Sequence, residues 1–418
     1  MRATIIVIAI SVLIAVRGYA AETLSLDEAL TTALKKHPQI VEARENVHSA
    51  EAKAGQAFAN YYPQISIAGD WNKGDSYFPA QEMIKATEVN IGGLYLKQTI
   101  YDFGRTAGAV DAARSNREAA EKALIVTRQD LALRVKNAFY LVLATEKQVI
   151  AVRETVKARE DVCRQAQEFF KEGIRAKVDV ARAEANLYTA RTSLIRAENN
   201  REIARVELAN AMGIASLGER TLVEPSASST PLPERTLSQQ DALRLRAELQ
   251  QMAALKMSAT ANLKTAKSTY LPVISGTASA GYADRDFPPD GKVWGVGLNL
   301  TMPLFSGFSS DEQVREANAN INALEARQNN LKLQITREVE SAWLGVNEAS
   351  ARILSTDKEV VAANESKALA EGRYHEGVGS IIEVTDAQSQ ALDAQTARIQ
   401  AQYDYYTALC RLDRATGK

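Results

Sequence analysis

The sequence predicts a mainly α-helical protein with a small β part, and three observations lead to this fold class. The 418-residue chain is internally duplicated, each copy carries a long heptad pattern, and each copy also carries two short segments that alternate with a period of two. Heptads predict helices packed side by side as coiled coils, and period-two alternation predicts strands. Since 46% of the residues are hydrophobic, the chain can bury a large apolar surface.

Charge, composition and motifs argue against nucleic acid binding, metal binding and catalysis. The net charge of -1 provides no basic stripe for a nucleic acid backbone, so no nucleic acid partner is expected. Metal-ligand spacing is absent from both the cysteines, Cys163 and Cys410, and the histidines, His37, His48 and His375. The sequence also lacks a catalytic serine elbow and a phosphate-binding loop. We therefore expect no enzyme activity, no metal and no cofactor. We expect two buried or partly buried thiols, although the sequence also allows a single disulfide bridge.

The N-terminus has the layout of a cleavable secretory signal. Arg2 precedes an apolar run from Ile5 to Val16, and the small-residue site Gly18-Tyr19-Ala20 follows. A membrane anchor is the alternative, but an apolar run of about 12 residues is shorter than the ~20 that a spanning helix needs. We therefore expect residues 1–21 to be a signal peptide and the mature chain to be exported.

The duplication sets the domain organisation. The sequence FKEGI around Gly173 recurs as YHEGV around Gly377, which gives an offset of 204 residues. Between the copies lies a segment rich in proline and serine at residues 224–233, which is unsuited to continue a helix. The domain boundaries expected from this pattern are a first helix-hairpin-helix repeat over 22–213, an inter-repeat linker or equatorial segment over 214–236, and a second repeat over 237–418.

Each copy contains one long helix with a 4,3 alternation of apolar or small residues. No proline interrupts it, so the first helix is predicted from about Gly104 to Phe170, ~100 Å at ~1.5 Å per residue. Gly173 and Gly377 lie where each helix must end and turn, because glycine tolerates the left-handed conformation of a C-terminal cap. A returning helix follows each turn. The heptad positions are Leu131, Val135, Ala138, Val142, Thr145, Val149, Val152 and Val156, then Ile335, Val339, Ala342, Val346, Ala349, Ile353, Thr356 and Val360.

Two predicted strands precede each long helix. They cover about 64–72 and 89–99 in the first copy, and 273–282 and 294–302 in the second. Segments of roughly 10 residues with one apolar face suit strands that cross a bilayer, and an ordinary half-buried hairpin is the alternative. Because four strands cannot close a membrane barrel, a barrel would require several copies of the chain. The aromatic residues suited to bilayer interfaces are Tyr62, Trp71, Tyr95, Tyr101, Tyr282 and Trp294.

A set of short motifs recurs in the same order in both copies. The motifs are LSLDEAL at 24–30, Tyr62-Pro63 and Leu271-Pro272 before the hairpins, YDFG at 101–104 and PLFSG at 303–307 after them, and an aromatic residue three positions before Gly173 and Gly377. With these motifs the chain resembles the TolC-type outer membrane factors, of the outer membrane efflux protein family, over essentially its whole mature length.

The resemblance implies an assembly and a location. The expected assembly is a homotrimer in which the long coiled-coil helices form an α-barrel and four strands per chain contribute to a 12-stranded transmembrane β-barrel. The expected location is the outer membrane of a Gram-negative-type bacterium, in contact with its lipid and with a large periplasmic portion.

The resemblance also implies a function. The channel would be the passive exit duct of a tripartite efflux pump or a type I secretion system, with a periplasmic adaptor (membrane fusion) protein and an inner membrane transporter as partners. The alternative is a periplasmic coiled-coil adaptor or scaffold, which would share the export signal and heptads. Such a protein would not need paired hairpins with an apolar face.

Site residues carry over from the resemblance position by position. Adaptor contacts are expected at the helix turns, at Gly173, Ile174, Gly377 and Val378. The pore constriction is expected at Glu383 and Asp386, where three copies would place two anionic rings that attract cations. Without the resemblance, these two acids would be interpreted as solvated charges on a helix face.

A small polar network is also expected at the turns, with Asp179 and Tyr374 as two members. The family often has a basic residue two positions after the second-copy glycine. Here that position is Gly379, while Arg175 occupies the equivalent place in the first copy.

Overall fold

The computed structural model describes residues 23–78, 83–225 and 234–418. The expected signal peptide at 1–21 and residues 226–233 of the proline-rich segment lie outside this range. Within it, the helices and strands are β1 (Thr23–Leu24), α1 (Leu26–Lys36), α2 (Pro38–Phe58), β2 (Gln64–Phe78), β3 (Met83–Tyr101), α3 (Arg105–Lys171), α4 (Lys177–Met212), β4 (Thr221–Leu222), α5 (Arg235–Leu245), α6 (Ala247–Lys267), β5 (Val273–Asp284), β6 (Gly291–Thr301), α7 (Ser309–His375) and α8 (Ile381–Thr416).

The mainly helical fold with a small β part is confirmed, and the sequence offset of 204 residues recurs in the helix bounds. Helices α3 and α7 have 67 residues each, and α4 and α8 have 36 each. Subtracting Arg105 from Ser309, or Lys177 from Ile381, gives 204 in both cases. Among the described residues, no helix combines the length and apolar character that crossing a bilayer would require.

The predicted heptad positions form the interior of the coiled coils. Leu131, Val135 and Val142 of α3 are fully buried, as are Ile335 and Val339 of α7. Burying such a side chain contributes ~1.5–3 kcal/mol, so these positions are a main source of stability. Cys163 and Cys410 are also buried, and neither forms a disulfide.

The described residues divide into two compact units, and each draws on both sequence repeats. The first unit comprises the described parts of Met1–Lys35, Arg134–Thr230 and Thr356–Tyr403. In it, β1 pairs with β4 in parallel, and the helix turns form a shared core that includes Tyr374 and Val384.

The second compact unit contains the sheet with both hairpins. It comprises the described parts of Lys36–Leu133, Pro231–Ser355 and Asp404–Lys418. The strand order is β2-β3-β5-β6, and all neighbouring strands are antiparallel.

The register gives the sheet one apolar and one polar face. Ile67 lies opposite Leu94, which lies opposite Ala280, which in turn lies opposite Trp294. Ile67 and Trp294 are each 81% exposed, so this apolar face has no cover within the described chain. Side chains of successive residues point to opposite faces. The neighbouring row therefore lies on the other face, and it consists of the polar or small residues Ser66, Tyr95, Ser279 and Gly295.

The interpretation of Tyr95 as a bilayer-interface residue is wrong. Tyr95 lies opposite Ser66 and Ser279, on the polar face. Its neighbours Leu94 and Leu96 already occupy the apolar face, and strand alternation then places Tyr95 on the other side.

Strands β2 and β3 extend beyond the segments 64–72 and 89–99 that the alternation indicates. Their ladder runs from Gln64 opposite Lys97 to Phe78 opposite Met83. The apolar alternation ends near Trp71, but backbone pairing continues through polar residues because the ladder needs only main-chain groups.

A charge cluster around the buried Arg246 joins four helices in the second unit. Arg246, 5% exposed, donates two hydrogen bonds to Glu248, at 3.0 and 2.9 Å, and one to Glu338 at 2.7 Å. Arg414 pairs with Glu248 and with Asp130. Burial raises the pKa of Glu248, but the hydrogen bonds from Arg246 and Arg414 outweigh it, so the pKa lies below its ordinary value.

We expect Glu248→Gln to lower the free energy of unfolding by roughly 3 kcal/mol, because it leaves Arg246 buried without its two-bond partner. The depressed pKa means that the contribution of Glu248 is present above an unfolded pKa of about 4.3 and is lost as the pH falls through the folded pKa. The difference between wild type and variant, followed by circular dichroism during thermal unfolding, should therefore shrink below about pH 4.

Glu312→Gln is the matched control, because it removes a carboxylate from an exposed pair with Arg315. That change should cost less than about 0.5 kcal/mol. Equal losses in the two variants would show that the buried cluster is not a special source of stability.

Candidate functional site

The two helix turns of the first unit have the same backbone geometry. Gly173 and Gly377 have φ angles of +74° and +76°, in the left-handed region that favours glycine. The Ile174 amide donates to the Phe169 carbonyl at 2.9 Å, and the Val378 amide donates to the Arg373 carbonyl at 3.1 Å. These bonds satisfy carbonyls that the ends of α3 and α7 would otherwise leave open.

The residue after each turn glycine is apolar and exposed. Ile174 is 55% exposed and Val378 is 73% exposed. Phe170, Val178 and Ile382 are also exposed apolar side chains close to the turns in sequence. The expected adaptor-contact positions therefore form accessible apolar surface in the single chain.

Arg175 connects the first turn to the second. Its guanidinium donates hydrogen bonds to the carbonyls of Gly377 at 2.8 Å and Gly379 at 2.6 Å. The same guanidinium lies 5.9 Å from the centre of the Tyr374 ring, within cation–π range. A hydrogen bond from a charged donor contributes ~1.5–3 kcal/mol, so two of them make a strong link between the turns.

Gly379 has no room for a side chain. A Cβ atom there would lie 2.7 Å from the Tyr374 amide nitrogen and 2.9 Å from the Arg373 carbonyl carbon. The basic residue that the family often has at this position therefore does not fit this turn. Arg175 supplies the positive charge from the first turn instead, and 379 minus 175 equals the repeat offset of 204. Sequence reasoning named Arg175 only as the equivalent position, and this exchange was the available signal for its contact.

Tyr374 and Asp179, the expected polar network, lie close enough to interact electrostatically. Tyr374 is 1% exposed, and its ring packs against Phe169 at 5.8 Å. Burial raises the pKa of Tyr374, the negative charge of Asp179 raises it further, and Arg175 opposes them. The Tyr374 hydroxyl has no hydrogen-bond partner in the described part of the chain, so the structure contains no direct bond between these two residues.

Glu383 and Asp386 lie near the start of α8, and both are exposed. Their spacing of three residues places them on one face of the helix. Glu383 is paired with Arg373 of α7, with 3.4 Å between Oε1 and Nε. The two acids therefore differ, because Glu383 has a cation beside it within the same chain. Sequence reasoning missed Arg373, which lies before the turn.

Further along the helices from the turns, buried polar contacts join three helices. Arg159 of α3 donates to the Asn186 carbonyl of α4 and to the Ser389 hydroxyl of α8, both at 2.9 Å. Burial lowers the pKa of Arg159. Buried polar contacts of this kind fix how helices align along their length.

Within residues 23–78, 83–225 and 234–418, no group of three or more His, Cys, Asp or Glu side chains is arranged to hold a metal ion. The described site thus consists of the two helix turns, the Arg175 side chain that links them, and the exposed acids Glu383 and Asp386.

A sheet with one exposed apolar face and one polar face is typical of the strands of a membrane β-barrel, and here long helical hairpins accompany it. The profile of the outer membrane efflux proteins matches residues 29–214 and 239–418, and the chain belongs to this family.

Individual relatives match almost the whole chain. The outer membrane efflux protein BepC of Brucella suis is 25% identical over 414 residues, covering 96% of this chain and 87% of BepC. Protein CyaE of Bordetella pertussis is 26% identical over 389 residues, covering 90% of this chain and 81% of CyaE. The CmeC outer membrane channel of Campylobacter jejuni shares the fold, with a TM-score of 0.84 at 18% identity, covering 94% of this chain and 85% of CmeC.

Proposed function

We propose that three copies of this outer membrane efflux protein form a passive exit duct for a tripartite efflux pump or a type I secretion system. Family membership gives the outer membrane channel class and argues against a periplasmic adaptor. The observation that carries the proposal is the four-stranded sheet, which has an apolar face and two edge strands, β2 and β6.

The sheet edges favour assembly with sister chains. An unpaired backbone group in lipid costs several kcal/mol, so strands facing lipid must form a closed barrel. Pairing β6 of one copy with β2 of the next satisfies both edges, and three copies of four strands give a 12-stranded barrel. The apolar face, with Ile67, Trp294 and Leu298 about four-fifths exposed in one chain, would then contact outer membrane lipid.

The helices support the same assembly. Helix α4 exposes Tyr188, Ile195 and Val206, each at least 63% exposed, and α7 exposes Val361 and Leu369. Contiguous exposed apolar stripes on soluble helices mark interaction surfaces. Packing against neighbouring copies would bury these stripes in a periplasmic α-barrel.

The assembly has a direct test. We expect the protein purified in detergent to contain three chains by native mass spectrometry, and to stay in the outer membrane fraction after alkaline washing. A β-barrel held by lipid resists such washing because no single ion pair holds it there. A folded monomer obtained from the periplasm without detergent would contradict the proposal.

We place the pore constriction at Glu383 and Asp386. Both side chains are exposed in one chain and lie on one face of α8, so three copies could direct six carboxylates into one passage. Arg373 neutralises part of this charge through its pair with Glu383, so Asp386 would carry most of the cation attraction.

We expect Glu383→Gln combined with Asp386→Asn to reduce cation preference and block by divalent cations in planar bilayers. Arg373→Gln should do the opposite, raising cation preference, because it frees the charge of Glu383. Both effects should fade towards 1 M salt, where the screening length is ~3 Å.

Glu316→Gln is the matched control for these recordings. It removes an exposed acid from α7 outside the turn region and should leave the reversal potential unchanged. Unchanged cation preference and divalent block in the double variant would exclude these acids from the constriction.

We further propose that the turns contact the periplasmic adaptor. The apolar side chains of Ile174 and Val378 are exposed although they lie beside tightly hydrogen-bonded turns, which suits a preformed docking surface. An inner membrane transporter would be reached through the adaptor.

Val378→Glu should weaken binding of the adaptor by about 10-fold or more, since it places a charge in an apolar contact. Co-purification after cross-linking measures the binding, and the yield of three-chain assembly should stay unchanged. Val361→Glu, on the exposed stripe of α7, should instead reduce assembly. Loss of assembly in Val378→Glu would identify the turn as structural only.

A further inference from the structure

The polar face of the sheet is concave. Across the four strands, one row consists of Gln64, Lys97, Thr277 and Gly297, and the next of Ser66, Tyr95, Ser279 and Gly295. Both rows line a hollow of about 620 Å³. The apolar row with Trp294 and Val296 lies on the opposite, exposed face. The concave face of the sheet is therefore the one that carries the hydroxyl groups.

Of the residues that line this hollow, Lys97 is the one that carries a charge. Among the side chains that the structure describes there, it has no ion pair, and the nearest carboxylate along the face belongs to Asp70. Asp70 is six residues away along β2 from Gln64, the partner of Lys97, which is ~20 Å at ~3.4 Å per residue. That distance exceeds the ~10 Å screening length at 0.1 M salt, so Asp70 does not compensate the charge.

The surroundings of Lys97 are suited to anions. Its direct cross-strand neighbours are Gln64 and Thr277, and Tyr95 lies two residues away on the same face. Amide and hydroxyl groups can donate hydrogen bonds to carboxylate, phosphate or sulfonate oxygens. Glycines at 295 and 297 leave the space beside these groups open.

We propose that Lys97 is a specificity-determining residue that makes the inner wall of the barrel attract anionic solutes. The proposal rests on the proposed assembly, in which the polar face lines a water-filled duct. Three copies would then place three ammonium groups at one height. This charge is opposite in sign to that of the acids at the start of α8, so recordings of total current would mix the two.

A local probe separates them. In Thr277→Cys, the new thiol lies directly across from Lys97. Its reaction rates with membrane-impermeant thiosulfonate reagents, one anionic and one cationic, are measured on intact cells, with the parent protein as baseline because Cys163 and Cys410 are buried. The ratio of the two rates reports the local potential, since any change in thiol pKa affects both reagents equally.

We expect Lys97→Gln in this background to slow the anionic reagent and speed the cationic one by ~2–3-fold each, from Coulomb's law at ~7 Å in a water-like dielectric. Lys97→Arg should keep the original ratio, and Lys97→Glu should shift it further. The differences should disappear at 1 M salt. Lys292→Gln is the matched control. Lys292 lies opposite Tyr282 on the apolar face of the sheet, so this substitution should leave the ratio unchanged.

The outcomes separate this inference from the function on which it rests. If Thr277→Cys reacts but the ratio is the same with and without Lys97, the role of Lys97 is wrong. If Thr277→Cys reacts with neither reagent, while Leu298→Cys on the apolar face does, the polar face does not line a duct and the proposed function fails.

Discussion

Main-chain hydrogen bonding at the edges of the four-stranded sheet is the constraint on which the rest of this protein depends. Strands β2 and β6 each have one unpaired side within the described chain, beside a face that exposes large apolar residues. Water can satisfy such an edge, but lipid cannot. The exposed stripes of α4 and α7 are likewise apolar surfaces that remain uncovered in a single chain. Both features are those expected of a subunit in the proposed three-chain assembly.

Much of the helical fold could be predicted from the sequence because its signals are local or repeated. The absence of proline and the heptads predicted a helix from about Gly104 to Phe170, and α3 spans Arg105–Lys171. Gly173 and Gly377 were expected at turns because of their conformational freedom, and both have positive φ. Strand lengths were less accessible, because the ladder beyond Trp71 depends on main-chain pairing and not on side-chain pattern.

The polar contacts of the site could not be predicted from the sequence. Arg175 reaches carbonyls of residues 202 and 204 positions away, and only the tertiary packing of the two turns brings them together. The pairing of Arg373 with Glu383 likewise crosses a turn. The face on which Tyr95 lies could have been predicted, because adjacent residues of a strand point to opposite faces and Leu94 lies on the apolar one. Sequence patterns indicate which surfaces exist, whereas the partners of long charged side chains depend on the folded geometry.

The contact of Arg175 with Gly377 and Gly379 has a consequence for the internal repeat of the chain. The two halves repeat the same helices and turns, yet they hold complementary parts of a single joint: the first supplies the donor and the second the receiving carbonyls. A chain assembled from two first halves would have an arginine at both positions, and residue 379 has no room for a Cβ atom. One assembled from two second halves would have two receivers and no donor. The difference between arginine and glycine at this one pair of equivalent positions gives each repeat its own part in the joint.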